Sequence, residues 1–93
     1  MNKYIFHIPC VTYVDGEMLP NKWEQVVSEM AKQIYSFYLL DTTGYYKGRS
    51  YKEKLFVVYG EKNLIEIFME NVKILEQECY AFEMDNELFI REG

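Results

Sequence analysis

The chain has 93 residues, 49% of them hydrophobic and 17% aromatic. That is one domain with enough apolar mass for a core, although a chain this short buries only about 60–65% of its unfolded surface. Fifteen acids against ten bases leave a formal charge of −5, which argues against a general nucleic-acid binder, because phosphate contacts need Lys and Arg.

The charge is uneven. Residues 1–60 hold six acids and seven bases, and residues 61–93 hold nine acids and three bases. Lys47, Arg49, Lys52 and Lys54 form the one local basic run. No apolar run approaches the roughly 20 residues of a membrane-spanning helix. The first ten residues carry too short an apolar run for a secretory leader, and Pro9 interrupts it. Two cysteines, Cys10 and Cys79, are too few for a disulfide framework, so a reducing cytoplasm is the expected compartment.

In chain order, Lys3 to Ile8 reads as a buried strand, ended by Pro9. Asp15-Gly16 is a turn signal, and a loop of partly extended character is expected around it rather than a hairpin. Asn21 with Glu24 three residues on gives a capping-box pattern. Trp23, Val26, Val27, Met30, Ile34 and Phe37 then make an apolar stripe that predicts a helix over about 22–38. A β-hairpin follows, with arms at about 42–47 and 50–59 and its turn at Gly48. Asn63 and Glu66 repeat the capping grammar. They open a second helix striped by Leu64, Phe68, Val72 and Leu75, which is expected to stop near Gln77. Tyr80, Phe82 and Met84 alternate with other residues, Asp85-Asn86 looks like a turn, and Leu88-Phe89-Ile90 reads as a final short strand. The order β-α-β-β-α-β, with or without an extra C-terminal strand, predicts a single α+β domain over 1–93. Its expected form is a ferredoxin-like antiparallel sheet with both helices on one face and the first strand central.

Candidate chemistry is sparse. Glu53 lies two residues before Leu55 and four before Val57, so the three share a strand face. A carboxylate in line with core residues needs a partner or a raised pKa. One reading makes Glu53 a general base or ligand contact; the plainer one pairs it with Lys47, Lys52 or Lys54 at a solvated strand end. Tyr45, Tyr46, Tyr51 and Tyr59, with Lys47 and Arg49, fit a stacking surface for single strands or ordinary cross-strand packing, and the acidic remainder favours packing. His7, the single histidine, sits in an apolar strand and reads as a hydrogen-bonded core residue. Cys10 and Cys79 fall where adjacent strands would bring them near one another, but no metal-ligand spacing accompanies them. No glycine-rich phosphate loop is present. No cofactor or metal is expected.

Three stretches together carry a resemblance: Y-I-F-H-I-P followed by D-G-E and N-K-W-E, then T-T-G-Y-Y-K-G-x-x-Y-K-E, then L-E-Q-E-C-Y-A-F-E. Their order and spacing resemble small uncharacterised bacterial and phage proteins with a T-x-G-x-W-x-G motif, a following Glu and a late Q-E-x-V. Here Tyr46 stands at the Trp position, and Cys79-Tyr80 replaces the usual Ser-Val or Ala-Val. The resemblance implies a ferredoxin-like fold with no assigned activity. It singles out Thr43, Gly44, Tyr46, Gly48, Glu53, Gln77 and Glu78.

The expected function is a non-enzymatic, cytoplasmic interaction or regulatory module. It would work as a homodimer or with a protein partner, off the membrane and away from nucleic acid, and an origin in a mobile element is compatible with it. The alternative is a small enzyme or ligand-binding domain. Its pocket would lie between the sheet and the loop after the first strand, with Glu53, Tyr46 and His7 as polar groups.

Overall fold

The computed structural model describes residues 1–93. Its elements are β1 (Asn2–Pro9), β2 (Val11–Val14), β3 (Glu17–Pro20), α1 (Trp23–Gln33), β4 (Tyr38–Tyr46), β5 (Arg49–Gly60), α2 (Asn63–Val72), a 3-10 turn (Lys73–Leu75), β6 (Cys79–Met84) and β7 (Glu87–Glu92). The fold is α+β. Five antiparallel strands lie in the order β4-β5-β1-β6-β7, and β2 pairs with β3 in a separate ribbon. No helix is long and apolar enough to cross a membrane.

Strand alternation divides the sheet into two faces. Tyr4, Phe6 and Ile8 of β1, Phe56 and Val58 of β5, and Tyr80 and Phe82 of β6 point to one side. There they pack with Val26 and Met30 of α1 and with Leu64, Phe68 and Val72 of α2. Phe6 is at the centre, stacked on Phe68 at a centroid distance of 4.6 Å and tilted against Phe56 and Phe82 at 6.5 and 6.0 Å. Burying one such ring contributes about 1.5–3 kcal/mol. β1 is central as expected, because it alone pairs with both β5 and β6. The residues between, Ile5, His7, Glu53, Leu55, Val57, Ala81 and Glu83, face the side that carries no helix.

Several expectations change. The Asp15-Gly16 stretch is a tight hairpin, not a loop: φ is +48° at Asp15 and +83° at Gly16, the paired left-handed values that match the twist of the flanking strands. The same two-residue geometry recurs at Lys47-Gly48 (+50°, +77°) and Asp85-Asn86 (+50°, +71°). Helix α1 ends at Gln33 rather than at residue 38, with Ile34 already extended at φ −119° and ψ 117°. Residues 38–41 are strand, so the first hairpin arm is longer than expected, and β4 lies at the sheet edge. Asn21 is not the N-cap of α1: that position is Lys22, without a side-chain cap bond, and Asn21 one residue earlier accepts the Trp23 N–H on its Oδ1 at 3.0 Å; no capping box forms with Glu24. Asn63 is the first residue inside α2 and makes no cap bond. The chain leaves the second helical segment through Glu76, in the left-handed region at φ +57°. β7 supplies the additional C-terminal strand.

Candidate functional site

On the helix-free face, three strands deliver three ionisable side chains to one another. Glu53 on β5 stands opposite Pro9 in the β1–β5 register, and His7 stands opposite Leu55. Pro9 has no N–H and no polar side chain, so Glu53 leans diagonally to His7, two residues along, a reach that long side chains manage. His7 Nδ1 is 3.0 Å from Glu53 Oε1. On the other side Ile5 opposes Glu83 of β6, and His7 Nε2 reaches Glu83 Oε2 at 2.8 Å. One imidazole thus bridges two carboxylates across β5, β1 and β6. The side chains retain 22% (His7), 11% (Glu53) and 31% (Glu83) of their exposure.

Glu53 gathers further donors. Thr42 Oγ1 lies 3.4 Å from its Oε1, and Tyr51 Oη donates to its Oε2 at 3.4 Å. No buried side-chain polar atom in the molecule lacks a partner. Burial works against a charged imidazole at His7, but the hydrogen bonds and charges of Glu53 and Glu83 together outweigh it and raise the His7 pKa above its ordinary value. The cationic ring can donate from both nitrogens at once, as two carboxylate partners require. Burial raises the Tyr51 pKa, and the Glu53 charge and hydrogen bond add to the effect, so Tyr51 stays a neutral donor.

Of these groups, His7, Glu53 and Tyr51 floor one end of a concavity of about 410 Å³. The β2–β3 ribbon and the tip of the β4–β5 hairpin wall it, with Tyr13, Asp15 and Met18 from the ribbon and Tyr46 and Lys47 from the tip. Gln77, Glu78 and Cys79 close the third side. Tyr13 meets Tyr46 edge-on at 5.4 Å, and the Lys47 ammonium sits 5.3 and 5.4 Å from their ring centroids.

The residues singled out by sequence are therefore partly gathered. His7, Glu53, Tyr46, Gln77 and Glu78 line this concavity. Gln77 serves the wall as well: its Nε2 donates to the Val11 carbonyl at 3.2 Å, and its backbone N–H donates to Tyr80 Oη at 2.9 Å. Gly44 pairs with Tyr51, whose ring lies where a Cβ on Gly44 would sit. Gly48 completes the tight turn. Thr43 is elsewhere. With Lys52, Lys54 and Cys10 it lines a second concavity of about 470 Å³.

The plain expectation that Glu53 pairs with a lysine does not hold; its partners are His7, Thr42 and Tyr51. Lys54 instead pairs with Asp41 and lies 5.0 Å from the Trp23 ring centroid, and Arg49 donates to the Gly16 carbonyl at 2.9 Å. The basic run is thereby split, with Lys47 on one concavity and Lys52 and Lys54 on the other. Cys10 and Cys79 are both free and likewise line different concavities. Burial raises the Cys10 thiol pKa. No group of three or more His, Cys, Asp or Glu side chains is arranged to hold a metal ion, and in the His7 bridge both ring nitrogens are already taken by Glu53 and Glu83.

Glu83 and the role of Tyr51 were missed from sequence. Tyr51 shares alternation parity with Glu53, a signal that was present. Glu83 becomes visible only once the β1–β6 register is known. Scans against family models, curated proteins and solved structures return no match to this chain.

Proposed function

We propose that this chain is a non-enzymatic interaction module that self-associates through the helix-free face of its sheet, with the strand arrangement of a ferredoxin-like domain extended by β7. The carrying observation is the composition of that face. Tyr38 and Leu40 at the β4 edge, Tyr59 on β5, and Leu88 and Ile90 at the β7 edge are all exposed there. They flank the His7–Glu53–Glu83 bridge on both sides. An apolar face of this breadth on a small domain favours a second copy, and a two-fold pairing uses the same patch twice. A cytoplasmic role and kinship with the small bacterial and phage proteins described above belong to the same proposal. Size-exclusion chromatography with light scattering tests it. The expected result is a dimer that Leu40→Lys with Ile90→Lys converts to monomer; a wild-type monomer at high micromolar concentration overturns it.

A second reading, a small-molecule-binding domain, is favoured by one specific observation. His7, Glu53 and Tyr46 converge on a single walled concavity whose volume suits a small ligand. NMR titration of the labelled chain with a small-fragment set tests this reading. It expects amide shifts clustered at Tyr13, Tyr46 and Glu78, and the absence of any such cluster removes it.

A further inference from the structure

The walled concavity has a chemical preference of its own, which rests on the small-molecule reading. Three of its lining residues are acids; Glu53 is engaged by His7, which leaves Asp15 and Glu78, and the one lysine, Lys47, forms no ion pair with any of the three. The Lys47 ammonium instead lies against two tyrosine rings, at 5.3 and 5.4 Å from their centroids. Ring faces carry negative quadrupole potential and hold ammonium groups within about 6 Å of the centroid. Tyr13 and Tyr46 come from different hairpins, so the clamp is a tertiary arrangement and not a local accident of one turn.

The backbone at Lys47 is also unusual. It sits at φ +50°, the first position of a tight turn where Asn, Asp or Gly is preferred. A lysine there meets left-handed backbone strain, and its side chain is the one that reaches the tyrosines. The geometry shows how an ammonium group is received in this concavity, using one that the chain itself supplies.

We infer that the concavity is a receptor for a small organic cation, an ammonium group on a short apolar body, whose charge takes the place of the Lys47 ammonium between Tyr13 and Tyr46. The apolar body would lie against Pro9, Val11 and Met18, and Asp15 and Glu78 would add long-range attraction. Lys47 then acts as an internal competitor.

The test is an NMR titration of the whole labelled chain with choline and, separately, with its uncharged isostere 3,3-dimethyl-1-butanol. Choline is expected to shift the amides around Tyr13, Tyr46 and Glu78 with millimolar affinity, at least about tenfold tighter than the isostere, the equivalent of about 1.4 kcal/mol. Lys47→Asn suits the turn and removes the competitor, so it should bind choline several-fold tighter. Tyr13→Leu, which keeps the wall apolar, should weaken it. Equal binding of choline and the isostere overturns the cation preference and leaves the small-molecule reading standing. Choline binding that Lys47→Asn does not tighten overturns the competitor role. No shift with either probe on wild type or Lys47→Asn, together with an empty fragment titration, overturns both readings.

Discussion

His7 Nδ1 stands 3.0 Å from Glu53 Oε1 although the two residues are not opposite one another in the sheet. The contact is diagonal because Pro9 occupies the opposing position and offers Glu53 nothing to bond. Glu83 completes the bridge at 2.8 Å. Loss of the second proton from the imidazole would turn one of these hydrogen bonds into a lone pair facing a carboxylate.

The pH dependence follows directly. The His7 pKa is raised in the folded chain, so the folded state holds this proton more tightly than the unfolded state. The resulting stability is fully present below the unfolded-state value of about 6.5 and is lost as pH rises through the folded value. Urea melts of wild type and His7→Gln across pH 5 to 9, a range set about that reference value, should show wild-type stability falling relative to the variant as pH rises. The ring nitrogens, read by long-range proton–nitrogen NMR, should both remain protonated above the usual histidine midpoint. A parallel stability difference at all pH values would show that the bridge is not protonation-linked.

Glu53 is the most enclosed charge of the three, and removing it leaves an imidazolium short of one partner. Glu53→Ala should destabilise by about 3 kcal/mol, at the lower end of the range for breaking a buried pair by removing one member. Glu83→Ala, at a wetter site, should cost about 1 kcal/mol. The double-mutant cycle between His7→Ala and Glu53→Ala should give a coupling of about 1–3 kcal/mol. Chemical denaturation at pH 6, close to the reference histidine pKa of about 6.5, supplies all three numbers, and a coupling indistinguishable from zero would mean the pair is only adjacent.

How much of this was legible in the sequence follows from what each signal depends on. Lys3 to Ile8 was legible as a strand because its apolar run is local, but only one face is fully buried, that of Tyr4, Phe6 and Ile8, while Ile5 and His7 are half-buried. The length of α1 was misread because Ile34 and Phe37 continue the helical spacing of Val26 and Met30 by coincidence. Phe37 is inward, stacked on Phe56 at 4.1 Å, but the chain reaches it through an extended Ile34 and bends at Tyr35 and Ser36. Tyr35, 95% exposed, is the residue that a continued helix would have left unexplained. The Asp15-Gly16 hairpin was signalled by its turn residues, yet a partly extended loop was expected there; its arms are only four residues each, too short for a marked alternation. The Glu53–His7 contact depends on the β1–β5 register and the contact with Glu83 on the β1–β6 register. Neither register is encoded near the residues concerned, so the site's membership was half visible and its connectivity was not.

Asn21 ties three elements together. Its Nδ2 donates to the Pro9 carbonyl at 3.0 Å and to Thr12 Oγ1 at 3.2 Å, while its Oδ1 accepts from the Trp23 N–H. Thr12, itself buried, passes its own proton to the Leu75 carbonyl at 2.8 Å. Losing one such hydrogen bond costs about 1 kcal/mol, and here the loss also frees the β1 exit. Asn21→Ala should therefore destabilise by about 2 kcal/mol, and Asn21→Asp, which keeps the acceptor and loses the donor, should recover only part of it. Thermal melts of the two variants separate the contributions.

Gly44 and Gly48 lie in the same hairpin and should resist substitution for different reasons. Gly48 has open space around it but sits at φ +77°. Alanine there meets backbone strain of about 1 kcal/mol that no change elsewhere relieves. Gly44 has ordinary backbone geometry, and the Tyr51 ring covers the position of its missing side chain. Gly44→Ala must push that ring away, breaking the Tyr51–Glu53 hydrogen bond and costing about 1–3 kcal/mol. The decisive measurement is the response to Tyr51→Ala. In that background Gly44→Ala should become nearly neutral, because its obstacle is gone, while Gly48→Ala should cost what it costs in wild type. If both penalties persist unchanged, Tyr51 is not seated over Gly44, and the floor of the concavity is built differently from the arrangement described.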